Sequence, residues 1–335
     1  MKPILILDRL TVDFATKQGT VHAVRDISLS VNKGEILAIV GESGCGKTVM
    51  CKSVMKLLPR NAKVYGNVFV DGENIMLATE RKMQCLRGTV FSMLFQDSMT
   101  SLTPTIPVGQ QIIEALLSHN SMSKSVAEKK TIELLELVGM DYPKERMRLQ
   151  PHFLSGGMRQ RCILAIALAL SPKILFADEP TTALDVTVQA AVLDLLIKVK
   201  NETGITIIFI THDLGVVAKI ADRVAVMYAG KIVEIGTAQD IFYDPRHPYT
   251  WGLLRAHPSF ALQTRRLHCI PGNPPNLINL PTGDAFAPRN EFALDIDFQQ
   301  TPPMFSISQT HSAATWLLDR RAPKISPPVI IKRTQ

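Results

Sequence analysis

Eight consecutive residues, Gly41-Glu42-Ser43-Gly44-Cys45-Gly46-Lys47-Thr48, place glycines, a lysine and a hydroxyl at the spacing of a loop that cradles nucleotide phosphates. Glycines let backbone N–H groups turn toward an anion with no side chain in the way. Lys47 would reach the β- and γ-phosphates, and the Thr48 hydroxyl is suited to Mg²⁺. The apolar run Glu35-Ile36-Leu37-Ala38-Ile39-Val40 before the loop reads as a buried strand. Residues 49–58 after it have helix-forming composition, so the loop would open onto a helix N-terminus, where the backbone favours negative charge. A glycine-rich turn with a stray lysine would need neither flank. The chain is expected to bind a nucleoside triphosphate.

A second apolar run, Ile174-Leu175-Phe176-Ala177, ends in Asp178 and Glu179. Two adjacent carboxylates at a strand end suit phosphoryl chemistry: Asp178 to hold Mg²⁺, Glu179 to polarise the attacking water. A strand closing in a solvated acidic turn is the plainer reading, set aside because the phosphate loop is present. Upstream, Leu154-Ser155-Gly156-Gly157-Met158-Arg159-Gln160 puts a hydroxyl and two bare backbone units at the start of a helix. That pattern is either an ordinary N-cap or a second anion site.

The elements that must position these residues are legible in part. Residues 4–14 and 21–31 look like strands, and Val68-Phe69-Val70-Asp71-Gly72 closes another at a turn. Residues 35–40, 90–95, 174–177 and 205–210 are continuous apolar runs bounded by polar residues, the pattern of strands covered on both faces and so of a mostly parallel sheet. The motifs fall at the carboxyl ends of such strands, where ligands of open α/β sheets bind. Residues 108–117 and 125–138 carry helical spacing, with Gly139 placed as a C-terminal cap, and read as a helical insertion. Beyond Asp244 the texture changes, since 13 of 21 prolines lie between Pro245 and Pro328. That density disfavours long helices and predicts an irregular, partly β appendage.

Composition narrows the class. The 335 residues are 46% hydrophobic and 20% charged, which is globular, and the length suggests a large core plus an appendage. The longest apolar stretch, residues 162–170, is too short to cross a bilayer, and the N-terminus reads as a strand and not as a signal peptide. A cytoplasmic start is expected, with any membrane role exercised through partners. The five cysteines show neither paired nor metal-ligand spacing, which predicts free thiols. The net charge of +7 comes from scattered lysines and arginines without interleaved aromatics, so a nucleic-acid partner is not expected.

Over residues 4–236 the chain resembles the ATP-binding subunits of ABC transporters, on the phosphate loop, the Leu154–Gly157 segment and the Asp178-Glu179 strand. The resemblance implies ATP and Mg²⁺ as ligands, and an ATP site whose halves come from two protomers arranged head to tail. It also assigns further residues. Gln96 resembles the glutamine that contacts Mg²⁺ and water and links to membrane subunits; Ala183-Leu184-Asp185 is similar to the loop that touches the opposite protomer; His212 resembles the histidine at the γ-phosphate. Phe14 falls where an aromatic stacks on adenine, with packing in the β layer as the other reading. Two departures stand out: Met158, where many members carry glutamine, and Cys45, a possible thiol-reagent target or merely a small side chain.

A narrower resemblance, to the ATPases of oligopeptide and dipeptide importers, rests on Gln96-Asp97-Ser98-Met99-Thr100-Ser101-Leu102-Thr103-Pro104 and Asp244-Pro245-Arg246-His247-Pro248-Tyr249-Thr250. It is extended by Ile270-Pro271-Gly272-Asn273-Pro274-Pro275 and Gly283-Asp284-Ala285-Phe286-Ala287-Pro288-Arg289. It implies a P-loop ABC core of mostly parallel sheet plus an antiparallel β layer over residues 1–240. A helical subdomain at about 98–163 and an importer-type extension over 241–335 complete the implied architecture. The implied partners are a paralogous ATPase (a homodimer being the alternative), two transmembrane permease subunits and, indirectly, an extracytoplasmic peptide-binding protein. The chain would lie at the cytoplasmic face of the membrane. Many members hold an iron–sulfur cluster in the extension, but only Cys269 lies beyond residue 250, so none is expected. A nickel or glutathione importer, or a soluble ABC protein outside transport, is the alternative function. The extension is expected to serve assembly, so that truncation after Gly236 spares ATP binding.

Overall fold

The protein is described from a computed structural model, at residues 2–95, 101–119, 121–182, 185–258 and 269–328. Along the chain run β1 (Pro3–Thr16), β2 (Gly19–Asn32), β3 (Ile36–Val40), α1 (Lys47–Val54), β4 (Ala62–Val70) and β5 (Glu73–Asn74). Then come α2 (Glu80–Thr89), β6 (Phe91–Leu94), α3 (Val108–Leu117), α4 (Lys124–Leu137), α5 (Pro143–Arg146), α6 (Gly156–Leu168), β7 (Ile174–Asp178), α7 (Val186–Thr203) and β8 (Thr206–Thr211). The rest comprises α8 (Leu214–Ile220), β9 (Arg223–Tyr228), β10 (Lys231–Thr237), α9 (Ala238–Tyr243), α10 (Pro248–Ala256), β11 (Phe305–Ser306) and β12 (Ser312–Ala313). Among the described residues no helix is long and apolar enough to cross a membrane. The chain forms two compact units: residues 32–34 and 77–209 in one, and 2–31, 35–76 and 210 onward in the other.

The second unit carries the phosphate loop. Its antiparallel layer runs β2-β1-β4-β5, with β1 alternating buried and half-exposed residues as a one-faced strand should. Every residue of β3 is buried, the pattern of a strand covered on both faces, and β3 pairs in parallel with β9 from Leu37↔Arg223 to Val40↔Val226. β10 returns antiparallel to β9 across the Ala229-Gly230 turn. β12, from the far end of the chain, then adds to β10 through Glu234↔Ala313 and Ile235↔Ser312. One core cluster joins Val40, Val224, Val226 and Tyr228 to Phe242, Tyr249, Leu254 and Phe286. The proline-rich region thus shares its core with the strands that carry the loop. Pro248 starts α10 at a position where the missing N–H costs nothing, so a nine-residue helix forms despite the composition.

In the other unit β6 and β7 pair in parallel, from Phe91↔Ile174 to Leu94↔Ala177, with β8 next to β7. The helical segment follows its own spacing. Val108, Ile112, Ile113 and Leu116 bury one face of α3, and Ala127, Thr131 and Leu135 line one face of α4. Gly139 sits just past α4 at φ +71°, the left-handed turn that glycine makes without strain. The sequence reading of 108–117 agrees with α3, while α2, α7, β9 and β10 escaped it.

Candidate active site

The phosphate loop connects β3 to α1 with the expected shape. Gly46 takes φ +105°, and a Cβ there would collide with the Ala23 carbonyl oxygen; a Cβ on Gly41 would collide with that of Met227. Only glycine lets the chain turn this tightly between neighbouring strands. Gly46 is the N-cap of α1 and offers no side-chain bond to the first-turn amides, nor is there an acidic residue in that turn. Such a helix start suits an anionic ligand, so the cradle fits a nucleotide triphosphate. Lys47, buried, donates from Nζ to the carbonyls of Gly41 (2.8 Å) and Glu42 (2.9 Å) and lies 3.7 Å from the Cys45 sulfur. Burial pushes the Cys45 thiol up, outweighing the nearby lysine, which argues against a reactive thiolate. Ser43 and Gly44 are exposed and Thr48 is half-buried.

Phe14 and His212 belong to the same unit. Phe14 is half-buried near the end of β1, opposite Ala62, so part of its ring faces solvent. His212 is exposed just after β8. Next to it, Asp213 caps α8, its Oδ1 accepting from the amides of Gly215 (2.8 Å) and Val216 (3.3 Å) and lying 3.2 Å from His257 Nε2. Burial would raise the Asp213 pKa, but those amides and His257 together bring it below the usual range.

The other unit holds Ser155, Gly156, Gly157, Asp178, Glu179 and Asp185. Asp178 ends β7 at 2% exposure. Glu179 follows at φ +47°, a left-handed conformation that costs a non-glycine residue about 1–2 kcal/mol, and its Oε2 accepts from Thr182 Oγ1 at 3.0 Å. Other turns of the chain, such as those at Asp71 and Ala229, share this conformation, so it is the Thr182 bond that orients the Glu179 carboxylate. The Ser155 hydroxyl accepts from the Met158 amide at 3.3 Å, so within this chain it is the N-cap of α6. The side-chain amide of Gln160, the last residue of that motif, donates to the Pro180 carbonyl and ties α6 to the turn after the acidic pair. Asp185 caps α7; bonds from the Thr187 hydroxyl and Val188 amide hold its carboxylate below the usual range. Gln96, Ala183 and Leu184 lie outside the described residues.

Residues that reasoning on the sequence missed lie around Glu42. Arg289 pairs with the Glu42 carboxylate, and the buried Tyr249 hydroxyl accepts from the Glu42 amide at 2.8 Å. A cavity of about 160 Å³ has Glu42, Ser43, Gly44 and Cys45 on one wall and Pro274, Pro275 and Leu277 on another. Both residues were visible in motifs of the proline-rich region. Nothing in a linear sequence says that such a motif folds back onto position 42.

This geometry is that of a P-loop nucleotide-binding protein. Residues 24–182 match the ABC transporter family model, and residues 233–296 match that of the oligopeptide/dipeptide transporter C-terminal region. The chain is 52% identical to the oligopeptide transport ATP-binding protein OppD of Bacillus subtilis, over 98% of this chain and 93% of that one. It is equally 52% identical to the dipeptide transport ATP-binding protein DppD of Lactococcus lactis, over 97% and 93%. Among solved structures, a dimeric ATP-binding cassette in a post-hydrolysis state with ADP and Pi is similar at TM-score 0.62 and 26% identity, covering 70% of this chain and 98% of that one. The cassette cbiO1 of Clostridium perfringens gives 0.63 and 27%, covering 72% and 91%. The chain belongs to the ATP-binding subunits of ABC transporters, in the branch that carries the oligopeptide/dipeptide C-terminal region. It is an ATP-binding protein and an ATPase.

Proposed function

We propose that this chain hydrolyses ATP to energise the import of oligopeptides or dipeptides, as a peripheral subunit at the cytoplasmic face of the membrane. The observation that carries the reading is the union of the ABC cassette with the C-terminal region. The region matching the oligopeptide/dipeptide model packs its Phe242, Tyr249, Leu254 and Phe286 into the core of the loop-bearing unit. The domain division is read as a cassette over 1–240, with a helical subdomain at about 98–163, and an importer-type extension over 241–335.

Each chain residue then has a stated task. The amides of Gly44 to Thr48 and the Lys47 ammonium bind the phosphates, and Phe14 stacks on the base. Glu179 orients the attacking water and accepts its proton, helped by the Thr182 hydroxyl that orients its carboxylate. Thr48, Asp178 and Gln96, all oxygen donors, would hold Mg²⁺, whose positive charge supports phosphoryl transfer. His212 contacts the γ-phosphate. Ser155, Gly156, Gly157 and Asp185 face the ATP of a second protomer, a paralogous ATPase in preference to a second copy. Two permease subunits and an extracytoplasmic peptide-binding protein complete the transporter.

The test is co-purification of the full chain with the membrane subunits and measurement of ATP hydrolysis with the binding protein added. Stimulation by peptide-loaded binding protein is expected. Stimulation by nickel or by glutathione in place of peptides would assign the chain to those importers instead.

A further inference from the structure

Glu42 occupies a free position of the phosphate loop, and a carboxylate there is at odds with the loop's task. A bound triphosphate brings several negative charges to the same loop, and an unpaired carboxylate beside them repels the ligand. Every polar group of Glu42 is nonetheless engaged. Its carbonyl accepts from Lys47 Nζ at 2.9 Å, and its amide donates to the Tyr249 hydroxyl at 2.8 Å. Its carboxylate takes two parallel bonds from Arg289, Nη1 to Oε2 at 2.7 Å and Nη2 to Oε1 at 2.9 Å. The fork matches carboxylate geometry in a way a lysine cannot.

Arg289 is itself fixed in place. Its side chain is 5% exposed, its Nε donates to the Pro271 carbonyl at 2.7 Å, and its Nη1 lies 3.3 Å from the Tyr228 hydroxyl. The guanidinium carbon sits 5.8 Å from the centroid of the Tyr228 ring, within cation–π range. Burial alone would lower the Arg289 pKa, but the bonds to Glu42 and Tyr228 more than reverse it, so the charge persists. Tyr228, Tyr249 and Phe286 pack ring against ring at 4.6–5.3 Å and leave this cluster little room to rearrange.

We propose that Arg289 is a positioning residue of the nucleotide site: it pins the Glu42 carboxylate and cancels its charge, so that ATP affinity depends on the C-terminal region. The proposal rests on the reading of Gly41–Thr48 as the ATP site.

The experiment is equilibrium binding of ATP and ADP to the purified full chain at low and high salt, for wild type, Lys47→Ala, Arg289→Gln and Glu42→Gln/Arg289→Gln. Thermal melts identify the folded variants. Arg289→Gln should weaken ATP binding about tenfold, by more than it weakens ADP binding, with the gap narrowing at high salt. The double variant, which removes the stranded carboxylate, should return to within about threefold of wild type. A purely structural role would give no such rescue. Should Arg289→Gln not fold, Arg289→Lys is measured instead; it keeps the charge, loses the fork, and should weaken ATP binding by about threefold. Wild-type affinity in whichever single variant folds, or a double variant no tighter than Arg289→Gln, overturns the proposal. Wild-type affinity in Lys47→Ala overturns the assignment of the loop itself, an outcome distinct from either.

Discussion

Arg289 meets Glu42 through paired bonds of 2.7 and 2.9 Å across 247 positions of sequence, tying the proline-rich region to the loop that would hold the triphosphate. Tyr249 repeats the link through the Glu42 amide, and His257 repeats it near His212 through Asp213. Three contacts bring the C-terminal region against two loops that are proposed to bind ATP. This runs against the expectation that it serves assembly alone. The reason is physical: its aromatic side chains complete the core beneath β3, β9 and β10.

Truncation after Gly236 should therefore abolish ATP binding. It deletes Phe242, Tyr249, Leu254 and Phe286 from the core, and large buried side chains are worth about 2–5 kcal/mol each against a total stability of roughly 5–15 kcal/mol. Circular dichroism should show no cooperative melt. A cooperative transition with intact ATP affinity would contradict the shared core.

Lys47→Ala should lower ATP affinity at least tenfold and the melting temperature by only a few degrees. The ammonium bonds the carbonyls of buried Gly41 and half-buried Glu42, so its loss costs some stability, but the larger effect falls on the phosphates, which lose the one mobile cation on the loop. Calorimetric titration with ATP measures this directly.

Glu179→Gln should keep ATP affinity and lower turnover by a factor of about 10²–10⁴, the usual contribution of a positioned base. The amide can still accept from Thr182 Oγ1, so the φ +47° backbone should persist. Turnover within threefold of wild type would remove Glu179 from that role.

The pattern of these contacts explains what the sequence disclosed. The phosphate loop, β3, α3 and the Asp178-Glu179 strand end were legible because each depends on local spacing: glycines at fixed intervals, unbroken apolar runs, one apolar helix face. β9 and β10 were not: they pair with each other across Ala229-Gly230, but the outer partners that complete their sheet, β3 and β12, lie far off in the chain. The Glu42–Arg289 pair was invisible for the same reason. Charge complementarity over such a separation leaves no periodic trace, and both residues sat in motifs already explained otherwise. Ser155 shows the converse: its spacing suited a cap and an anion site alike, and the folded chain shows the cap.

Asp284, in the same motif as Arg289, has its pKa pushed up to about 6 by burial. Its folded value lies above its unfolded one, so its contribution is present below about pH 4 and is lost as pH rises through 6. Asp284→Asn removes that loss and can still accept from the Phe286 amide, which Asp284 Oδ1 meets at 3.1 Å. The variant should match wild type near pH 4 and exceed it by roughly 2–3 kcal/mol at pH 7.5. Denaturant melts across pH 4–7.5 check this; a difference independent of pH would assign the effect to packing.

The central claim is that ATP hydrolysis on this chain drives peptide uptake. Its most direct measurement is accumulation of a labelled oligopeptide in vesicles that carry the assembled transporter, with ATP on the side of this chain and wild type compared with Glu179→Gln. The account predicts ATP-dependent uptake with wild type and none above background with Glu179→Gln, although the variant still binds ATP. Equal uptake by the two, or ATP hydrolysis by wild type without any peptide accumulation, would contradict it.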